Sequence, residues 1–315
     1  MKRSDELRDL VAKAHRHWEW GRSQGFLRLV EEDELNPVLR SSNRARRWWW
    51  RRTHGATPGT AMPVFLVGVQ RSGTNMIVHG LQRCPEFEVY NENHRRAFTS
   101  FRLRSDETIT EIVASSRHAF VLFKPLIDSH AVDHLLDDLP FATRGRALWA
   151  YRNVDDRVRS SIAKFGDSNL RALADIASGT GMDRWEAEGL TDESLELIRS
   201  FDYLRMSPAS ASALFWYLRN SFFFSLRLDR RTDVLPVSYD AFVRDPESEM
   251  QVVCRFLDYP WRPTIVAHVK KRERSPRPPL PVEPRIRELC DELLDRLDTA
   301  RRTAAASIEA RPGRG

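Results

Sequence analysis

Short apolar runs separated by stretches with helical periodicity recur along most of the chain. The runs rich in β-branched, aromatic and aliphatic residues predict strands at residues 64–69, 86–90, 119–123, 147–151 and 234–237. The stretches with helical spacing predict helices over 74–82, 208–228 and 285–301, and one that begins at Pro246. Strands that alternate with helices predict a parallel sheet with helices on its faces, so the expected fold class is α/β.

The first 60 residues differ in character from the rest. Their pattern is helical but heavily charged, and they include a basic segment from Arg44 to Arg52 with three consecutive tryptophans. A Thr-Pro-Gly break at 57–59 precedes the first predicted strand. We therefore expect an N-terminal extension over residues 1–60 and a main domain over 61–315. The indoles are expected to pack against the core, and peripheral contact with an anionic membrane or stacking on nucleic-acid bases are the alternatives.

Composition indicates a globular protein with anionic partners. Apolar residues make up 41% of the 315 residues and charged residues 30%, and the formal net charge is +6. This charge favours nucleotides, sulfated or phosphorylated molecules, nucleic acid or anionic membranes as partners. The three cysteines form no CxxC pair and no apolar run reaches 18 residues. We therefore expect a reduced, cytoplasmic protein without a metal site.

The segment after the first predicted strand has the features of an anion-binding loop. Between this strand and the next helix lie, in order, Gln70, Arg71, Ser72, Gly73, Thr74 and Asn75. Free backbone N–H groups in such a loop point at an anion, and an arginine adds a fork suited to phosphate or sulfonate oxygens. No lysine follows Gly73, so the GxxxxGK[ST] pattern of nucleoside triphosphatases is absent.

Two later segments combine with this loop. In the first, Arg152 ends a predicted strand and Ser160 follows eight residues later on the next helix. In the second, Tyr239 precedes an acidic residue, hydrophobic residues and the tripeptide Arg-Asp-Pro that ends at Pro246. The three segments, in this order, resemble the motifs of sulfotransferases that use 3′-phosphoadenylyl sulfate (PAPS). The resemblance covers about residues 63–260.

This resemblance implies a three-layer, P-loop-like α/β fold and a sulfotransferase activity. It implies that residues 70–75 hold the 5′-phosphosulfate, that Arg152 and Ser160 bind the 3′-phosphate, and that Tyr239 lies near the nucleotide. Ser275, in a basic and Pro-rich stretch, is expected to close over the phosphates. PAPS and its product PAP are the expected co-substrate pair, and no metal is required.

Catalytic roles are likewise implied by the resemblance. Lys124 ends a predicted strand, at a place where the family often presents a basic residue to the sulfonate. Glu92, in the loop after the second predicted strand, corresponds to the residue that takes the proton of the acceptor, and His94 is the second candidate. A carboxylate acts as a base in a dry site, whereas an imidazole titrates near neutral pH.

The acceptor and two other classes of function stay open. The expected acceptor is a hydroxyl group of a glycan, a glycolipid, a phenol or a tyrosine. The alternatives to a sulfotransferase are a small-molecule kinase, which shares this kind of loop, and a basic module that binds nucleic acid or membranes without catalysis. The sulfotransferase interpretation expects no nucleic-acid partner. His130 and His134 have a spacing compatible with zinc, but we expect them on an exposed surface.

Overall fold

The computed structural model describes residues 37–272 and 277–310, which divide into two units at the boundary between His54 and Gly55. In the first unit, helix α1 spans Pro37–Thr53. Trp48 and Trp49 are 50% and 58% exposed, and packing of the indoles against the core stays a prediction. Successive helical residues point about 100° apart, so consecutive indoles cannot share one buried face.

The second unit is built on a parallel sheet with the strand order β2-β5-β1-β6-β7. A separate antiparallel hairpin of β3 and β4 follows β2. The strands of the described chain are β1 (Met62–Gly68), β2 (Phe87–Tyr90), β3 (Phe98–Thr99), β4 (Arg102–Leu103), β5 (Phe120–Phe123), β6 (Arg146–Tyr151) and β7 (Val234–Ser238). Every residue of β5 and β7 is buried, and this explains why both strands read as continuous apolar runs.

Helices cover both faces of the sheet. After α1 they are α2 (Thr74–Gln82), α3 (Asp106–Ser115), α4 (Val132–Asp137), α5 (Val154–Phe165), α6 (Ser168–Ser178), α7 (Asp192–Arg199), α8 (Pro208–Ser225), α9 (Tyr239–Arg244), α10 (Pro246–Phe256) and α11 (Pro284–Glu309). Short 3-10 turns lie at Ile127–Ala131, Trp185–Ala187, Leu228–Arg230 and Pro263–Ile265.

Side chains of the central strand alternate between two hydrophobic cores. Phe65 and Val67 of β1 join the core that includes residues of α5, α8 and α11. Val64 and Leu66 point to the opposite face and join the core formed with α2 and α10. This period of two is the pleat of a strand buried on both faces. The result is a three-layer α/β architecture, and the predicted fold class is confirmed.

Two predicted helices differ from the observed ones at their ends. The final helix, predicted over 285–301, continues to Glu309, because three consecutive alanines are strong helix formers and Ile308 is buried beyond them. Helix α8 ends at Ser225 rather than at residue 228, and it is buried around most of its circumference. Its buried residues include Arg219 and Asn220.

The parallel sheet places the loops that follow its strands at one edge, the carboxyl edge. The candidate residues that follow β1, β2, β5, β6 and β7 all belong to this edge. Ser275 lies outside the described residues, and the domain boundary at residue 60 stays a prediction. Within the described residues, no helix is both long and apolar enough to cross a membrane. Peripheral membrane contact through Arg44 to Arg52 stays a prediction as well.

Candidate active site

The loop between β1 and α2 holds two residues in the left-handed region of backbone space. Arg71 has φ 72° and Gly73 has φ 83°. A side chain at Gly73 would overlap the ring of Tyr239, so this position requires glycine for space as well as for conformation. Left-handed residues in such a turn direct successive N–H groups into one concavity, which is an anion-binding geometry.

Three of the nine buried side-chain atoms without a hydrogen-bond partner in the described residues follow strands of the parallel sheet at its carboxyl edge. In the described part of the chain, the buried atoms Ser72 Oγ, Asn91 Oδ1 and Arg152 Nε have no hydrogen-bond partner. These residues follow β1, β2 and β6, so they share the carboxyl edge. A buried polar group without a partner lowers stability by about 1–3 kcal/mol. Phosphate or sulfonate oxygens would accept from the serine hydroxyl and the arginine, so the residues present fit such a group.

A direct hydrogen bond joins the loop to the second segment of the resemblance. Arg71 Nε donates to Ser160 Oγ on α5 at 2.9 Å. Arg152, which follows β6, pairs with Asp156 at 3.4 Å, and its guanidinium carbon lies 4.3 Å from the centroid of the Tyr239 ring. The three segments that are separate in the sequence thus meet in space.

An asparagine and an aspartate that the sequence analysis gave no role fix this meeting point. Asn153 caps α5, since its side-chain oxygen accepts from the Asp156 N–H at 3.0 Å. Asp240 accepts from the backbone N–H of Asn153 at 2.7 Å and from its Nδ2 at 2.6 Å. An asparagine just before a helix predicts a helix cap. The contact of this asparagine with Asp240, 87 residues later, could not be predicted from the sequence. The link positions Tyr239 beside Arg152.

Lys124, Glu92 and Asn75 form one cluster. The ammonium of Lys124 donates to Asn75 Oδ1 at 2.8 Å and lies 3.0 Å from Glu92 Oε1. The lysine side chain is only 8% exposed, so the charge pair is well shielded from water. An ammonium can stabilise negative charge that develops on a leaving oxygen, and a carboxylate beside it can accept a proton.

The contacts of His94 differ from those of Glu92 and involve Tyr90 and Arg96. Its ring packs edge-on against Tyr90 with centroids 4.7 Å apart, and its Nδ1 accepts from the Arg96 backbone N–H at 3.3 Å. Partial burial lowers the pKa of His94 and so favours the neutral imidazole. The structure therefore brings Glu92 into contact with the lysine, and places His94 against Tyr90 and Arg96.

Arg157 is a buried residue of this region that the sequence analysis missed. Its Nε donates to the Gln70 carbonyl at 3.2 Å, and its Nη1 donates to the carbonyl and hydroxyl of Ser212, each at 3.0 Å. Burial, together with the positive charge of Arg71, lowers the pKa of Arg157 to about 9. In the sequence it resembles any charged residue of a solvated helix, so no local signal reveals it. Gln70 itself contributes a backbone carbonyl to this contact.

The segment that precedes α11 lies along α5. The backbone N–H of Leu280 donates to Asp155 Oδ1 at 2.9 Å, and Arg159 donates to the Pro278 carbonyl. Arg287 also pairs with Asp155, at 2.7 Å. The described segment that follows the predicted covering loop is thus anchored beside the helix that carries Ser160.

The two histidines with zinc-compatible spacing are engaged separately. His134 is exposed and lies 2.8 Å from both Asp106 and Asp138. His130 is half-buried against Phe222, so the expectation of full exposure is wrong for this residue, because the side chain packs on α8. Across residues 37–272 and 277–310, no three His, Cys, Asp or Glu side chains form a group that could hold a metal ion.

Comparison with known proteins identifies the family. The family model described as "Sulfotransferase domain" matches residues 62–275, which is more than half of the chain. Among solved structures, the crystal structure of a sulfotransferase from Alicyclobacillus acidocaldarius is similar at 19% identity, over 82% of this chain and 98% of that chain, with a TM-score of 0.40. No curated protein matches this chain. The match to the family model shows that the chain belongs to the sulfotransferase family.

Proposed function

We propose that this protein transfers a sulfuryl group from PAPS to a hydroxyl acceptor. The observation that carries the proposal is the 2.9 Å hydrogen bond between Arg71 and Ser160, which joins the predicted sites for the 5′-phosphosulfate and the 3′-phosphate. Arg152 over the ring of Tyr239 extends this set of donors toward a nucleotide. A donor with phosphates at both its 5′ and 3′ positions uses both groups of residues, whereas ATP has no 3′-phosphate.

The proposed roles in donor binding follow the two groups of residues. The loop from Gln70 to Asn75 binds the 5′-phosphosulfate through its backbone N–H groups, the Ser72 and Thr74 hydroxyls and the Arg71 guanidinium. Arg152 and Ser160 bind the 3′-phosphate, and the lone Arg152 Nε supplies one of the donors.

The transfer step assigns one role to each partner of the ion pair. The acceptor oxygen forms a bond to sulfur while the bond between sulfur and the phosphate oxygen breaks, and Glu92 takes the acceptor's proton. Lys124 donates to the oxygens on which negative charge develops. The two side chains are 3.0 Å apart. When the ammonium turns toward the sulfonate, the carboxylate loses its partner and is free to accept a proton.

A calorimetric titration with PAP tests the donor. We expect binding by the wild type, and loss of binding in Arg152→Ala and Arg71→Ala. Arg144→Ala is the matched control, because this exposed arginine precedes β6 at the opposite edge of the sheet. Absence of PAP binding by the wild type would contradict the proposal. Transfer that needs ATP and magnesium would favour a kinase, and salt-sensitive binding to oligonucleotides or anionic vesicles without any effect of PAP would favour the basic module.

A transfer assay with labelled PAPS tests the base and the acceptor. Pools of glycans, glycolipids, phenols and tyrosine peptides supply the candidate hydroxyls. Glu92→Gln should bind PAP like the wild type but lose transfer. Full activity of Glu92→Gln would indicate that His94 is the base, and His94→Gln should then lose transfer instead.

A further inference from the structure

The buried guanidinium of Arg157 lies directly behind the anion loop. The residue is 1% exposed, and its hydrogen bonds go to uncharged oxygens, namely the Gln70 carbonyl and the two oxygens of Ser212. Asn169 donates to the same Ser212 hydroxyl at 3.0 Å and so holds this acceptor in place. The guanidinium therefore spans from α8 to the backbone of the loop.

The contact with Gln70 controls the orientation of one peptide plane. In a trans peptide the C=O and the following N–H point in opposite directions. The Gln70 carbonyl is turned toward Arg157, so the N–H of Arg71 is turned away from it, to the other side of the loop. Arg71 has φ 72°, which is costly for a residue with a Cβ and persists only where surrounding contacts hold it. Its own bond to Ser160 and the Arg157 contact supply that restraint.

Among the described residues, Arg157 and Arg219 are the two fully buried arginines, and their electrostatic surroundings differ. Arg219 is 2% exposed, donates to the Ile127 carbonyl at 2.7 Å, and is influenced by the acidic groups Glu188 and Asp128. The largest electrostatic influence on Arg157 comes instead from Arg71, which has the same sign. The like charges of Arg71 and Arg157 repel each other, and an anion bound in the loop relieves that repulsion.

We infer that Arg157 is a positioning residue that fixes the peptide between Gln70 and Arg71 and supplies a buried positive charge to the bound 5′-phosphosulfate. The inference rests on the proposed function, because it takes the loop as the site of that group. It assigns to the loop a second arginine besides Arg71, and this arginine is buried and lies outside the segment of the loop.

Binding of PAP to Arg157→Met tests the inference, because methionine keeps an unbranched apolar side chain against Phe215. We expect PAP to bind about tenfold to a hundredfold more weakly, the range for loss of a charge-assisted hydrogen bond. Binding of 5′-AMP should weaken by the same factor, whereas 3′-AMP should bind as it does to the wild type. Wild-type PAP affinity in this variant, or an equal loss for both mononucleotides, would overturn the inference.

Two further variants separate positioning from folding. Arg219→Met removes the comparably buried arginine, and we expect lower thermal stability with unchanged PAP affinity. Arg157→Lys keeps the charge but cannot bridge Gln70 and Ser212, so it should recover only part of the lost affinity. If Arg157→Lys bound PAP as tightly as the wild type, Arg157 would contribute only its charge, and the inference that it positions the peptide would be overturned. Where Arg157→Met does not fold, Ser212→Ala loosens the same guanidinium and should weaken PAP binding several-fold. Failure of the wild type to bind PAP would refute the proposed function rather than the contact.

Discussion

The two edges of the parallel sheet hold their arginines in opposite ways. At the amino edge, Arg231 pairs with Asp137 at 2.6 Å and with Asp233 at 2.9 Å, and Arg144 adds a bond to Asp233 at 3.0 Å. At the carboxyl edge, Arg157 donates to uncharged oxygens, and Arg152 pairs with Asp156 but retains an Nε without a partner in the described part of the chain.

This difference indicates that the arginines of the amino edge stabilise the fold, whereas those of the carboxyl edge bind a ligand. An arginine that pairs with carboxylates inside the protein stabilises the fold. Its charge is neutralised and its N–H donors are occupied, so it binds an anionic ligand only weakly. An arginine with neutral partners is costly to bury, and an anion that binds beside it offsets the cost. The strained backbone at Arg71 and Gly73 belongs to the carboxyl edge as well. Substitutions at this edge should therefore change ligand binding or turnover, and those at the amino edge should change stability.

The largest effect is expected for Lys124→Met. Removal of the ammonium should lower kcat about 10²-fold to 10³-fold, the range seen for loss of one donor to a developing oxyanion. PAP lacks the sulfonate, so its affinity should change little. Turnover of labelled PAPS and a PAP titration measure the two quantities, with Lys124→Arg as the variant that keeps the charge. A fall in PAP affinity as large as the fall in kcat would contradict the assigned role.

A smaller but clear effect is expected for Gly73→Ala. The new Cβ would overlap the Tyr239 ring at a φ of 83°, and overpacking of this kind costs about 1–3 kcal/mol. PAP affinity and melting temperature should both fall. Gly179→Ala is the matched control, because Gly179 has the same φ but open space around its Cβ position. If both variants bind PAP equally well, close packing at Gly73 is not needed for the site.

At the amino edge, Asp233→Asn should destabilise the protein by about 2 kcal/mol without changing PAP affinity. This is less than the usual cost of breaking a buried pair, because Arg231 keeps Asp137. Burial raises the pKa of Asp233, but the hydrogen bond and charge of Arg231, with Arg144, outweigh it, so the pKa lies below its ordinary value. The contribution is therefore present at neutral pH and is lost as pH falls through the folded-state pKa. Urea unfolding at pH 7 and in acid should show the difference between the two proteins disappearing in acid.

The smallest effects are expected at Tyr239. Tyr239→Phe keeps a ring under the Arg152 guanidinium and should leave PAP affinity within about twofold of the wild type, whereas Tyr239→Leu should weaken binding by about 0.5–1 kcal/mol, the value of an exposed cation–π contact. Calorimetry measures both. A large loss in the phenylalanine variant would show that the hydroxyl, and not the ring, contacts the nucleotide.

Local pattern in the sequence was enough for much of the fold and for the location of the loop. Each strand of the parallel sheet was predicted to within two residues at either end, because these strands are short runs rich in apolar, aromatic and β-branched residues. Arg71 and Gly73 identified the loop, since both side-chain chemistry and backbone freedom are properties of single residues. The end of α11 was missed, because exposed alanine-rich turns lack a periodic apolar face.

Contacts between distant segments were decided only by the tertiary structure. Propensity, periodicity and motif order are local, so they were enough to predict an α/β protein with an anion loop and a family resemblance. The strand order, the cluster of Asn75, Glu92 and Lys124, and the burial of Arg157 depend on residues far apart in the chain. Arg157 illustrates the reason: its environment is set by Ser212, 55 residues away, so a charge that reads as solvated in the sequence is fully buried in the fold.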